Sequence, residues 1–150
     1  MKLALSLLLG AALMSGGAHA DVLWRWSCKG PGVDASGTLT TKDAPDADGF
    51  YEIIGITGEA DGVSITGLQP AGTSIPLNAG YPVDNLVREA APQLTIHGLA
   101  VSLADGRFGN PFYGAHFSPP GFYAFLSDPA SGRTSEPKVE FSAWLISQPK

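Results

Sequence analysis

Residues 36–68, SGTLTTKDAPDADGFYEIIGITGEADGVSITGL, hold three runs of β-branched and aromatic side chains punctuated by Asp48-Gly49 and Asp61-Gly62. Side chains of these types fit a pleated, half-buried surface. Gly tolerates positive φ, and Asp enters the left-handed region more readily than most residues, so each Asp-Gly pair suits the tight turn of an antiparallel hairpin. The stretch predicts a β-meander with strands over residues 38–41, 50–57 and 63–68.

The rest of the chain agrees with that start. Residues 22–27 alternate, with Val22, Trp24 and Trp26 on one face and Leu23, Arg25 and Ser27 on the other, which predicts a strand whose two Trp rings anchor the core. Residues 94–103 alternate as well, with His97 on the face of Leu99, Val101 and Leu103. Residues 107–113 and 139–146 supply two more strands. Pro and Gly interrupt residues 69–92 so often that a long irregular loop is expected there, with one or two helical turns over residues 84–91, capped by Asp84. With Gly at 19 and Pro at 12 of 150 residues, short strands joined by turns fit the composition better than helices do. The expected fold is all-β: a single antiparallel β-sandwich or barrel of about 8–9 strands with one long irregular loop.

Residues 1–20 carry Lys2, an apolar run and the small-residue ending Ala18-His19-Ala20, the pattern of a secretory signal peptide. The run is too short for a membrane span, which needs about 20 apolar residues. Cleavage after Ala20 leaves residues 21–150 as one domain, expected in the periplasm or outside the cell, with no transmembrane anchor. Cys28 is the only cysteine, so no disulfide can form within the chain and packing has to hold the fold. A buried thiol is the expected state, and pairing between chains is the alternative. The formal net charge of −5, without a cluster of Lys and Arg, argues against nucleic acid and anionic membranes as partners.

Chemistry-bearing motifs are sparse. The segment FGNPFYGAHFSPPGFYAF, residues 108–125, concentrates aromatic side chains around Pro111, Pro119 and Pro120. Rings in such a segment either plug the barrel or sandwich or form a stacking surface. The candidate ligand-binding residues are therefore Phe112, Tyr113, His116, Phe117 and Tyr123. Acid–base chemistry would need His97 or His116 beside a carboxylate such as Asp84 or Glu140, yet no hydrolase signature surrounds either His. No catalytic residue is assigned. Asp43, Asp46 and Asp48 invite a calcium reading, but an EF-hand register would put Ala44 and Gly55 at ligand positions. His97 and His116 lack the thiols or acids that would complete a metal site, so no metal and no cofactor are expected.

The run SGTLTTKDAPDADGFYEIIGITGEADGVSITGLQPAGTSIP, followed by Asp84-Asn85, resembles an uncharacterised exported bacterial all-β domain family. Many of its members carry a C-terminal Pro-Glu-Pro sorting segment, which residues 139–150 do not show. The resemblance implies compartment and fold and transfers no site residue. Two functions follow as expectations. The first is an exported non-enzymatic domain that binds a glycan or apolar ligand through residues 108–125, or meets a glycan or protein partner in the cell envelope or matrix. The second is a small secreted hydrolase using His97 or His116 with a nearby carboxylate.

Overall fold

The computed structural model describes residues 20–147, so nearly all of the expected signal peptide lies outside the described residues. Ten strands and no helix make up this part: β1 (Val22–Gly30), β2 (Val33–Thr41), β3 (Tyr51–Ala60), β4 (Val63–Leu68), β5 (Leu86–Val87), β6 (Val101–Leu103), β7 (Phe108–Gly114), β8 (Gly121–Asp128), β9 (Arg133–Ser135) and β10 (Lys138–Ser147). The ladder runs β10-β1-β2-β3-β4-β6-β7-β8. It closes because β10 also pairs with β8, through Lys138 against Tyr123 and Val139 against Phe122. An eight-stranded antiparallel barrel results, with β5 added to β3 and β9 to β8.

Alternation decides which side faces inward. On β1, Val22, Trp24, Trp26 and Cys28 are buried, while Leu23, Arg25 and Lys29 are exposed or half-exposed. Outward positions on β2 and β10 include Asp34, Glu140 and Ser142. Exposed Leu23, Ile54 and Trp144 interrupt that polar exterior. Asp61-Gly62 makes the β3–β4 turn with φ of 51° and 78°, the double positive φ of the tight hairpin turn that the sequence predicts.

Two expectations fail for identifiable reasons. Residues 84–91 form no helical turn, because Asn85 is held by distant backbone. Its Nδ2 donates to the Gln69 carbonyl at 2.7 Å, and its Oδ1 accepts the Ala100 N–H at 3.2 Å. These bonds pin the chain at φ 52° and send it into β5. The strand expected over residues 94–103 survives only as β6, because Gly98 adopts φ 64°. The break separates His97 from the face of Leu99, leaving His97 exposed while Leu94 and Leu99 are both fully buried.

Beyond Phe141, β10 outruns β8, and a side chain completes the edge. The Gln93 amide donates to the Ala143 carbonyl at 2.6 Å and accepts the Ala143 N–H at 2.9 Å, as the backbone of a strand would. Gln93→Ala leaves both groups without these partners and should cost about 2 kcal/mol, read as a lowered urea midpoint with an unchanged slope.

Candidate functional site

Packing divides the barrel interior into a filled end and a hollow end. At the filled end Trp24 meets Tyr51 edge-on, with ring centroids 5.3 Å apart, and its Nε1 donates to Thr41 Oγ1 at 3.1 Å. Leu39, opposite Trp24 on β2, is fully buried beside it. Toward the β1–β2, β3–β4 and β6–β7 turns the inward side chains shrink to Cys28, Ala35, Gly109 and Ala124. A cavity of about 400 Å³ is left there. Eight strands enclose just enough room either to pack side chains or to hold one small ligand, and this volume falls among those of small-molecule sites.

The cavity wall is apolar, with Trp26, Leu99, Val101 and Leu103 among its side chains, and the charges sit at the rim in Asp61, Arg107, Asp128 and Arg133. The rim carboxylates are already held, Asp61 by a neighbouring strand and Asp128 by its own turn. Asp61 accepts the Asp34 N–H at 2.9 Å. Asp128 accepts the Ser131 hydroxyl at 2.7 Å, and that bond, with a smaller contribution from nearby Arg107, holds its carboxyl below the usual range. Arg107 is paired with Asp105 at 2.7 Å and lowers that carboxyl in turn. The interior itself is left with dipoles and thiol chemistry only.

Cys28 lines the cavity and is buried, which pushes its thiol from an ordinary 9.0 to about 12. The raised value favours the folded state fully while the unfolded thiol stays protonated, below pH about 9. That contribution is lost as pH rises toward 12. The stability gap between wild type and Cys28→Ala should therefore narrow across that window in denaturation curves. At pH 8 the native thiol should resist Ellman's reagent and react once the chain is unfolded. Rapid reaction of the native protein would contradict the burial.

Among the described residues, two buried side-chain polar atoms lack a hydrogen-bond partner, Trp26 Nε1 and Ser127 Oγ, and both residues border this cavity. Buried polar groups are nearly always satisfied, so each such atom asks for an explanation.

The residues singled out from the sequence lie elsewhere. Phe112, Phe117 and Tyr123 pack on one another, with centroids 4.5 to 6.3 Å apart, and the Tyr123 hydroxyl donates to the Pro119 carbonyl at 2.8 Å. Tyr113 projects to the other face of the β7–β8 ribbon, edge-on to Phe122 at 5.2 Å. His116 is exposed in the connecting turn. Three of the five are thus brought together, with their faces turned largely to one another. The same segment does reach the cavity, through Phe108, Gly109, Pro111 and Ala124. Its small residues, which the sequence reading passed over, make the space.

The acid–base pairing has a partial counterpart outside the barrel. Burial pushes the Asp84 carboxyl up, with bonds from Thr95 and Leu86 and the nearby His97 opposing that shift. The Asp84 oxygens, however, accept the Thr95 hydroxyl at 2.5 Å and the Leu86 N–H at 3.3 Å, while His97 Nδ1 meets the Pro82 carbonyl at 2.9 Å. These bonds brace the long loop. In the turn that invited calcium, Asp46 Oδ1 accepts the N–H groups of Asp48 and Phe50, both at 2.9 Å, so this carboxylate serves its own backbone.

Comparison with protein-family models, with curated proteins and with solved structures finds no match to this chain. The cavity has to be read from its own geometry.

Proposed function

We propose that this domain is an exported, non-enzymatic binding protein that holds one small apolar molecule inside its barrel. The observation that carries the reading is the hollow end, a cavity of about 400 Å³ with an apolar wall and its charges confined to the rim. Export is supported by the leader-like pattern of residues 1–20 and by the resemblance to an exported domain family. The aromatic segment contributes a wall and a brace in this account, in place of an exposed platform.

N-phenyl-1-naphthylamine, a neutral apolar fluorophore, should bind saturably with one molecule per chain. Ala124→Phe, which projects a ring from β8 into the space, should abolish binding while thermal stability holds or rises, because filling a void restores lost packing contacts. Binding that does not saturate, or that survives in a folded Ala124→Phe variant, would remove this reading.

A further inference from the structure

Trp24 and Trp26 stand two residues apart on the same face of β1, and the barrel treats them differently. Trp24 Nε1 has Thr41 Oγ1 as acceptor at 3.1 Å. Trp26 Nε1 has none, although the residue is only 3% exposed and forms part of the cavity wall. Trp24 is not part of that wall, so Trp26 is the deepest residue that β1 contributes and marks the floor. An indole N–H can only donate, and a buried donor left unmatched costs about 1–3 kcal/mol. Resting on the cavity reading above, we propose that the ligand is an uncharged, largely apolar molecule whose carbonyl oxygen accepts the Trp26 indole N–H.

The wall explains each part of that description. Around Trp26 the side chains of Cys28, Ala35, Leu99, Val101 and Ala124 offer no charge to pair with an ion. An unpaired charge brought there would meet a large desolvation cost. A ligand hydroxyl could accept from Trp26, but its own O–H would then find only the thiol, a weak acceptor. A carbonyl oxygen accepts without bringing a donor of its own. The volume of about 400 Å³ equals roughly a dozen waters at ~30 Å³ each, which sets the ligand at on the order of ten heavy atoms. Ser127 adds less. A hydroxyl both donates and accepts, so the unmatched Ser127 Oγ does not select an acceptor on the ligand as the indole does.

Cyclohexanone and cyclohexane, alike in shape and different in the carbonyl, are the test pair, titrated into wild type and Trp26→Phe. Cyclohexanone should lose roughly fivefold in affinity on substitution, while cyclohexane changes by no more than about twofold. In the intact protein the Trp26 indole ¹H–¹⁵N resonance should move downfield with cyclohexanone and stay in place with cyclohexane, a readout that does not depend on the variant folding. If both probes bind but respond alike to the substitution and the indole proton does not move, the Trp26 assignment is overturned and the cavity reading stands. If neither probe binds the wild type, both fall together.

Discussion

Trp24→Ala should lose about 4 kcal/mol of folding stability, the largest effect expected of any single truncation in the barrel. The side chain is fully buried, meets Tyr51 edge-on and has Leu39 and Leu145 as register partners on the flanking strands. Truncation removes the largest buried ring at the filled end, and the strands cannot collapse onto the void because β1 is laddered on both sides along its length. A domain of this size has about 5–15 kcal/mol in total, so the variant should be marginal at room temperature. Trp24→Phe should cost less, about 2 kcal/mol, since Thr41 Oγ1 loses its donor but still donates to the Lys42 carbonyl at 3.0 Å. Guanidinium denaturation followed by circular dichroism reads both. A loss under about 1 kcal/mol for Trp24→Ala would mean that this end is not packed as described.

Gly37→Ala should be comparably damaging for a different reason. Gly37 and Gly58 face each other in the β2–β3 ladder, and the two backbones approach more closely there than side chains allow. A Cβ on Gly37 would lie 1.9 Å from the Thr57 carbonyl oxygen, and one on Gly58 would lie 2.1 Å from that of Ser36. Backbone has to give way in either case, at about 3 kcal/mol or more. Gly67→Ala is the matched control, because a Cβ there meets nothing within 4 Å, and it should leave the melting temperature nearly unchanged. Equal melting temperatures for Ala at 37 and at 67 would contradict the close approach.

The wall strands were legible because their signals are local. Alternation marks Val22, Trp24 and Trp26 as an inward row, and Asp61-Gly62 fixes the turn between β3 and β4. Closure was not legible, because it depends on Val139 meeting Phe122 across sixteen intervening residues, and the same strands could equally have stacked as a sandwich. The reading of residues 94–103 failed at one torsion, that of Gly98, which no alternation count detects. The helical turn expected over residues 84–91 failed differently, through bonds from Asn85 to Gln69 and Ala100 that are distant in sequence. The cavity is the least legible feature of all. It is a shortage of side-chain volume at Cys28, Ala35, Gly109 and Ala124, four strands contributing one small residue each, and no single stretch carries its signature. The aromatic segment drew attention instead because its rings are conspicuous, and they proved to pack chiefly on one another and on the core.

Xenon under pressure reports directly on whether the barrel has a hollow end, since an apolar hollow takes up the gas and a packed core does not. A crystal of the protein so treated should show xenon bounded by Trp26, Cys28, Leu99 and Ala124. An interior without xenon, with the gas found only on the outer surface, would contradict the hollow barrel and every ligand inference built on it.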